Sequence, residues 1–317
     1  MINHKPMPEA YCVKLLEQEF EDLVSPTAPL KVLASGFQFT EGPVWHPQKR
    51  ILLFSDIPKS ERWQWDGTEV SRLSSDTNMT NGMTLDRDLN LLICEHATSS
   101  VSIVHPEGGR KELATHFGSD ELNSPNDICV RSDGLIYFTD PWYGRTSAVG
   151  IERPRDLGWQ GVFHISPACK QNEPMLLVDK DMFTQPNGLC FSPDERHLYV
   201  NDSEQGNIRL FDVMPDGLLS NPRIFAGNIK AHDDPGEPDG MRCDSLGNVW
   251  TAAPRGLWIF NPSGKKIGEI EVPEVVGNFH WGGEDWRTLF LCATTSLYAI
   301  SVRVGPRIEP FMRNVRL

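Results

Sequence analysis

Six polar residues recur at similar intervals along the chain, each at the start of a short apolar segment. The intervals between them are 40, 45, 61, 52 and 39 residues. A carboxylate or amide that enters an apolar core is unfavourable unless a partner binds it. The six are Glu41 in "TEGPVWHP", Asn81 in "TNGMTLDR", Asn126 in "PNDICVRS", Asn187 in "PNGLCFSP", Asp239 in "PDGMRCDS" and Asn278 in "GNFHWGGE".

The chemistry of these six side chains favours a hard metal ion. Every one offers oxygen, and none is Cys or His. Such a set suits one divalent cation, with Ca²⁺ as the first choice and Mn²⁺ or Mg²⁺ as alternatives. Zn²⁺ would also bind but is less well matched. A competing interpretation treats Asn-Gly and Asp-Gly as simple turns. Glu41-Gly-Pro is not a favoured turn, and the common register of all six favours the metal.

The elements that must position these residues also repeat. After Asn187 come "HLYVNDS", "NIRLFDV" and "NPRIFAG", and similar runs follow the other members. Six units of four short strands predict an all-β fold, a six-bladed β-propeller, in which each first strand lines the central channel. The last unit lacks a clear fourth strand, so we expect "PLKVLASGF" before Glu41 to supply it and close the ring. Two stacked β-sandwiches are the alternative architecture.

Domain organisation follows from the same pattern. Residues 1–28 are predicted to form an N-terminal extension with one short helix within residues 8–24. Residues 29–317 are predicted to form a single propeller domain, because no linker-like stretch divides them.

Composition excludes several classes of partner. The 317 residues carry 30 Lys and Arg against 43 Asp and Glu, a formal charge of −13. An acidic chain without a basic run is a poor candidate for binding nucleic acid or an anionic membrane. The start of the sequence lacks the apolar run of a signal peptide, and no later run is long enough to span a membrane. Seven scattered cysteines without a CxxC motif fit reduced, buried thiols, so a cytoplasmic protein is expected.

Five motifs carry a likeness to a known family. "FTEGPVW", "SPNDICVRSDGLIYFTDPWYG", "QPNGLCFSPDERHLYVNDS", "PDGMRCDSLGNVW" and "NFHWGGEDWRTLFLCA" resemble the SMP-30/gluconolactonase/luciferin-regenerating family from about Phe37 to Ser301. The resemblance implies a six-bladed propeller with one divalent metal at the channel mouth and activity on lactones, typically aldonolactones such as glucono-1,5-lactone.

The resemblance also implies roles for individual residues. By motif, the metal ligands match Glu41, Asn187 and Asp239. Asn126 matches a residue near the metal that either ligates it or holds substrate and water. Animal members place an arginine two residues before this asparagine, whereas this chain has Ser124. That difference places the chain nearer the bacterial gluconolactonase branch.

The residues themselves favour hydrolysis without a covalent intermediate. The sequence contains no G-x-S-x-G elbow, H-E-x-x-H motif, P-loop or Rossmann glycine motif. A cation beside a carboxylate can polarise an ester carbonyl while the carboxylate takes a proton from water. Asp239 is the candidate base, and Glu41 is the competing candidate.

Loops after the second strands are expected to surround the metal. The longest, "TDPWYGRTSAVGIERPRDLGWQG", contains Trp142 and Tyr143, which are candidates for packing on a sugar. His96 falls at the same rim and is a candidate substrate contact, with a structural hydrogen bond as the alternative. Two other functions stay open: a metal-stabilised binding module without catalysis, and a related propeller esterase or phosphotriesterase.

Overall fold

The computed structural model describes residues 12–166, 173–230 and 233–313, and it confirms the predicted six-bladed β-propeller. In chain order the strands are β1 (Val13–Leu15), β2 (Lys31–Ser35), β3 (Thr40–His46), β4 (Ile51–Asp56), β5 (Glu61–Trp65), β6 (Val70–Ser75), β7 (Thr80–Leu85), β8 (Leu91–Glu95), β9 (Ser100–Val104), β10 (Arg110–Ala114), β11 (His116–Phe117), β12 (Asp120–Glu121), β13 (Ile128–Val130), β14 (Ile136–Asp140), β15 (Gly161–Ile165), β16 (Met175–Leu176), β17 (Pro186–Phe191), β18 (His197–Asp202), β19 (Asn207–Val213), β20 (Leu219–Ala226), β21 (Met241–Cys243), β22 (Val249–Ala253), β23 (Gly256–Phe260), β24 (Lys266–Glu271), β25 (Val276–Gly282), β26 (Thr288–Ala293) and β27 (Ser296–Ser301). Short 3-10 helices cover Gln18–Asp22, Tyr143–Arg145 and Pro310–Met312. No helix in these described ranges is long and apolar enough to cross a membrane.

Each blade is an antiparallel sheet whose strands follow one another from the channel outward. Blades 1 to 5 begin at β3, β7, β13, β17 and β21, and blade 6 begins at β25. The outer strand of blade 6 is β2, which pairs with β27 from Lys31 opposite Ala299 to Ser35 opposite Ser296. The predicted closing strand is therefore confirmed. A small hairpin of β11 and β12 lies between blades 2 and 3 in the chain.

Burial explains why the first strands read as continuous apolar runs after their polar starts. Strands β3, β7, β17 and β25 are buried along their whole length, whereas the outer strand β6 contains no buried residue. The core lies between the faces of neighbouring blades, where aromatic rings fill the space. Tyr137 of blade 3 meets Phe191 of blade 4 edge to face at 4.9 Å, and Trp250 of blade 5 meets Trp281 of blade 6 edge to face at 5.2 Å. Such contacts hold the blades at fixed angles around the channel.

The described part of the N-terminal extension, from Cys12 onward, packs on blade 5. Within residues 8–24, where one short helix was predicted, the structure has β1 and the 3-10 helix Gln18–Asp22, and residues 8–11 lie outside the described residues. Strand β1 pairs with β24, so blade 5 has a fifth strand that covers its outer edge. Phe20 is fully buried, and its ring occupies the space that a side chain at Gly268 would need.

A C-terminal segment closes one end of the channel. Pro306 pairs with Asp244 just beyond β21, and the Arg307 backbone N–H donates to the Cys243 carbonyl. The Glu309 carboxylate lies 3.3 Å from His280 Nε2 inside the channel. Burial alone would raise the pKa of Glu309, but the hydrogen bond and charge of His280 lower it to about 2. The first strands end at this C-terminal segment and begin at the opposite end of the channel, which the segment does not cover.

Candidate metal and substrate site

The six recurring polar residues all lie at the open end of the channel, at the inner ends of the first strands. Glu41, Asn81, Asn187 and Asn278 lie within their strands, and Asn126 and Asp239 come two residues before theirs. Five of the six are buried and Asp239 is half-buried. We call these six residues the ring. The structure thus brings together six residues that follow one another at intervals of 39 to 61 positions, while their roles remain predictions.

Backbone irregularities place the ring side chains. The pairing of first and second strands shifts register between Glu41 and Val44, and a matching shift occurs between Pro186 and Leu189. Bulges of this kind turn a side chain out of the regular alternation and are frequent beside functional sites. The ring residues are therefore aimed at the channel, while the residues that follow resume normal strand pairing.

The glycines after the ring residues serve close packing between blades. A Cβ atom at Gly42 would overlap the Asn81 carbonyl oxygen, and one at Gly188 would overlap the Asp239 carbonyl oxygen. Each glycine thus lets one blade's ring residue approach the next blade's backbone. Gly188 lies inside β17, so Asn187-Gly188 is not a turn, and the competing turn interpretation fails at this position.

Glu41 and Asp239 are carboxylates without a cationic partner. Glu41 Oε2 accepts a 2.6 Å hydrogen bond from the Gly42 N–H. In the described part of the chain, neither carboxylate forms an ion pair with a lysine or arginine. Burial raises the pKa of Glu41 to about 7. Burial, followed by the charge of Glu41, raises the pKa of Asp239 well above its usual range. The pair therefore resists carrying two negative charges unless a cation joins it.

The donor set fits a hard divalent cation. The ring offers two carboxylates and four amides. The described residues contain no group of three or more His, Cys, Asp or Glu side chains placed for a metal, so amide oxygens would have to complete the set of ligands. Asp239 also interacts with the side chain of Asn187. Carboxylate and amide oxygens around two unpaired negative charges are the donors that Ca²⁺ or Mg²⁺ prefers. Glu41, Asp239 and Asn187 would hold the ion, with Asn126 beside them.

Hydrogen bonds link the ring amides in series. Asn81 Nδ2 donates to Asn126 Oδ1, and Asn126 Nδ2 donates to Asn187 Oδ1 at 2.5 Å. Asn187 Nδ2 then donates to Ser203 Oγ at 3.1 Å, and Ser203 Oγ donates to the Pro238 carbonyl at 2.5 Å. The series fixes which face of each amide points to its neighbour. This series of hydrogen bonds ends at Pro238, one residue before Asp239. Ser203 is therefore part of the site, although the sequence analysis did not select it.

His96 lies behind the ring and is fully buried. Its Nδ1 lies 2.8 Å from the Val149 carbonyl and its Nε2 lies 3.2 Å from Asn81 Nδ2. The carbonyl requires a proton on Nδ1, so Nε2 accepts from Asn81. Burial lowers the pKa of His96 to about 4, which keeps it in this neutral form. The predicted substrate contact stays a prediction, and the observed bonds match the structural alternative.

A buried ion pair lies beneath the ring. Arg242 Nη1 and Asp127 Oδ2 are 3.1 Å apart, and both side chains are almost completely buried. Asp127 directly follows ring residue Asn126, and Arg242 comes three residues after Asp239. The pair therefore ties blade 3 to blade 5 below the proposed ligands. Sequence reasoning missed it, although "PND" and "PDGMR" place both charges next to ring positions.

Carboxylates at the ends of second strands hold the segments that lead into the ring. Asp140 Oδ1 and Oδ2 accept hydrogen bonds of 2.8 Å from the backbone N–H groups of Ser124 and Asn123. Asp56 and Asp202 bind the segments before β3 and β17 in the same way. Asp202 therefore holds backbone in place rather than facing the channel. The recurring "SD", "TD" and "ND" at strand ends is the sequence signal for this role.

The long loop between β14 and β15 is braced from within. Arg145 is buried, lies 2.9 Å from Glu121 Oε2 and donates to the carbonyls of Asn123 and Pro154 at 2.5 and 2.7 Å. The Ile151 N–H donates to the Gly144 carbonyl at 3.0 Å. These contacts make the loop a fixed wall beside the ring.

The two aromatic candidates on this loop face different surroundings. Trp142 Nε1 donates to Asn123 Oδ1 at 2.8 Å, and the Arg155 guanidinium lies 3.7 Å from its ring centroid. Tyr143 reaches the side chains of Asn187 and Ser203, and its hydroxyl lies 3.5 Å from Glu237 Oε1. Burial raises the pKa of Tyr143 above its usual range, so the phenol stays protonated. Of the two, Tyr143 is the residue that contacts the ring.

Cation affinity is expected to rise with pH. The pKa of Glu41 is about 7 and that of Asp239 is also raised, with Asp127, Arg242 and Glu237 as the other nearby charges. The folded, metal-free site thus holds more protons than the unfolded chain, so its stability falls as pH rises through this range. A cation must displace these protons, which gives about a tenfold gain in affinity per pH unit for each proton released. Calorimetric titration with Ca²⁺ from pH 5 to 8 measures this, and a constant affinity would contradict it.

Comparison with known proteins agrees with this geometry. The family model described as SMP-30/Gluconolactonase/LRE-like region matches residues 39–295. A gluconolactonase of Zymomonas mobilis is 29% identical over 87% of this chain and 82% of its own length. A pentonolactonase of Haloferax volcanii is 24% identical over 82% of this chain and 83% of its own length. The solved structure of a gluconolactonase from Xanthomonas campestris is 28% identical, with a TM-score of 0.84 over 93% of this chain and 96% of that one.

Proposed function

This chain belongs to the SMP-30/gluconolactonase/LRE-like family, and we propose that it is a lactone hydrolase that requires one divalent cation, Ca²⁺ in the first place. The proposed substrates are aldonolactones, with glucono-1,5-lactone as the first to test. The relatives named gluconolactonase and pentonolactonase support the substrate class.

The observation that carries the proposal is the pair Glu41 and Asp239 at the open end of the channel. Both carboxylates have raised pKa values through burial, and neither has a cationic side-chain partner in the described residues. In a metal-stabilised binding module both carboxylates would only hold the cation. In a hydrolase one carboxylate anchors the cation while the other handles a proton, and the lactonase relatives favour this use of the pair.

Asp239 is the proposed base. When bound, the divalent cation would polarise the lactone carbonyl and stabilise negative charge on its oxygen. Asp239 is half-buried, so it is the less deeply buried of the two carboxylates at the mouth. Glu41 is 2% exposed, and one of its oxygens accepts from Gly42, which suits a fixed ligand better than a proton acceptor. Asp239 takes a proton from the attacking water and returns it to the ring oxygen that leaves.

Asn126 and Tyr143 are the proposed substrate contacts. Asn126 is oriented by hydrogen bonds to Asn81 on one side and to Asn187 on the other, and it lies next to the proposed ligand Asn187. Tyr143 lies on the long loop between β14 and β15 and contacts the side chain of Asn187. His96 would act on substrate only through Asn81, and Trp142 would act by holding the loop that carries Tyr143.

Replacing Tyr143 with Phe is expected to weaken substrate binding and leave the cation bound. One neutral hydrogen bond is removed, which corresponds to an increase in KM of about 2- to 10-fold. Trp142→Ala should instead alter the ranking of substrates through loss of loop packing. Steady-state kinetics at saturating Ca²⁺ measures both effects, with Ca²⁺ affinity as the control. Loss of the cation from either variant would contradict these roles.

Bound cation is also expected to stabilise the fold. Binding at 100 times the Kd, if confined to the folded state, adds about 2.7 kcal/mol to the free energy of unfolding. The Tm of protein prepared free of metal should rise with Ca²⁺ concentration. A Tm that does not move across a saturating titration would contradict a native cation site.

A substrate panel tests the proposed activity. Glucono-1,5-lactone, xylono-1,4-lactone and a neutral phosphotriester are supplied at saturating Ca²⁺, and each rate is compared with the protein-free rate. Faster hydrolysis of the lactones alone supports the proposal. Turnover of the phosphotriester alone would point to a propeller phosphotriesterase, and no acceleration of any ester would point to a binding module.

A further inference from the structure

A carboxylate outside the ring lies at the mouth of the proposed site. Glu237 is two residues before Asp239, on the segment that leads into β21 of blade 5. It is exposed, and its Oε1 lies 3.5 Å from the Tyr143 hydroxyl, which belongs to the loop of blade 3. The contact therefore crosses blade 4 above Asn187 and Ser203, both of which Tyr143 also touches.

The carboxylate of Glu237 has unused capacity to accept hydrogen bonds. At 3.5 Å the contact with Tyr143 is at the limit of a hydrogen bond and is easily exchanged. No lysine or arginine among the described residues forms an ion pair with Glu237. An ionised carboxylate has room for about four donors, so most of its sites face solvent at the mouth.

The neighbouring groups define what kind of donor can bind there. The charges that act on Glu237 are those of Lys230, which has the opposite sign, and of Asp202 and Glu204, which have the same sign as its own. Counting Glu237 itself, the negative charges at this position outnumber the positive one. An anionic ligand would be repelled at this position, and an apolar ligand would leave the carboxylate unpaired. Hydroxyl groups of a neutral polyol satisfy the carboxylate without adding charge.

We propose that Glu237 recognises hydroxyl groups of the lactone ring and so makes the site selective for polyhydroxylated lactones over unsubstituted ones. This inference rests on the proposed lactone hydrolase function. A substrate whose carbonyl reaches the ring would place its far hydroxyls between Tyr143 and Glu237, where they replace the long Tyr143–Glu237 contact. Glu237 is a specificity-determining residue in this role and takes no part in the proton transfer.

The test compares two lactones of the same ring size. Glucono-1,5-lactone carries hydroxyls and δ-valerolactone has none. For Glu237→Ala at saturating Ca²⁺, kcat/KM for glucono-1,5-lactone should fall about 10- to 100-fold, as expected for hydrogen bonds to a charged group, and mainly through KM. For δ-valerolactone, kcat/KM of the same variant should change less than about twofold. Glu237→Gln keeps one acceptor oxygen and should recover part of the loss.

Glu204→Ala is the matched control, because it removes an equal exposed charge near the mouth that has no contact with Tyr143. It should leave both substrates unaffected. Binding of 1,5-anhydroglucitol, a polyol ring that cannot be hydrolysed, gives a readout independent of turnover and should weaken in Glu237→Ala alone.

Several results would overturn the inference. One is an equal decrease in kcat/KM for both lactones in Glu237→Ala. Another is an equal effect of Glu204→Ala on glucono-1,5-lactone. A third is a Ca²⁺ affinity that falls more than about tenfold in Glu237→Ala, because this would make Glu237 a metal ligand. Wild-type protein that opens neither lactone would reject the proposed function itself, and the selectivity of Glu237 with it.

Discussion

Asp239→Asn is expected to reduce kcat for lactone hydrolysis by about 10²- to 10⁴-fold, the usual contribution of a general base. The substitution keeps the size of the side chain and one oxygen donor, and it removes the proton acceptor. The backbone at this position should not move, because the Asp239 carbonyl accepts a 2.6 Å hydrogen bond from Asn201 Nδ2. The measurement is kcat at saturating Ca²⁺, so that reduced occupancy by the cation is not mistaken for reduced chemistry.

Glu41→Gln is the matched variant for this prediction. Glu41 is the more deeply buried carboxylate and is proposed as a ligand, so its replacement should weaken Ca²⁺ binding more than Asp239→Asn does. An Asp239→Asn protein that binds Ca²⁺ and keeps near-normal turnover would reassign the base, with Glu41 as the next candidate.

Arg242→Met is expected to lower the free energy of unfolding by about 3–5 kcal/mol, since it leaves a buried charge without its partner. The partner is Asp127, 3.1 Å away and 1% exposed. Methionine keeps most of the side-chain volume, so the decrease in the free energy of unfolding reflects the lost charge more than lost packing. Urea unfolding of the metal-free protein measures it.

The double variant Asp127→Asn with Arg242→Met separates the causes. With both charges removed, the decrease in the free energy of unfolding should be smaller than the sum of the decreases in the two single variants, because substitutions of residues in contact are not additive. A single Arg242→Met loss below about 1 kcal/mol would show that Asp127 finds another partner or a proton when Arg242 is absent.

The fold was predictable from the sequence because propeller blades repeat. Each blade repeats a polar residue and a buried first strand, and this spacing was enough to count six blades and to assign β2 to the last. The pairing of β1 with β24 was not predictable, because Val13 meets Ile270 and nothing local in either segment indicates the other. The Asp127–Arg242 pair joins residues 115 positions apart and was missed for the same reason.

The site was predictable in its ring and less so around it. The six ring residues could be selected because they occupy equivalent places in different blades, whereas Glu41, Asn187 and Asp239 were singled out as ligands by the family resemblance, and that role stays a prediction. Trp142 and Tyr143 are adjacent in sequence, yet a 3-10 turn begins between them and sends the two rings to different surroundings. His96 was expected at the rim, and its position behind Asn81 depends on the fold of a loop that passes over it at Val149.

Chelation followed by restoration is the most direct test of a cation-dependent lactonase. Hydrolysis of glucono-1,5-lactone is followed by proton release, with the protein-free rate subtracted, before EDTA treatment, after it, and after dialysis into Ca²⁺. We predict loss of the enzymatic rate on chelation and its return with Ca²⁺, in proportion to the bound ion. Full activity in protein shown to contain no metal would contradict the role assigned to Glu41 and Asp239.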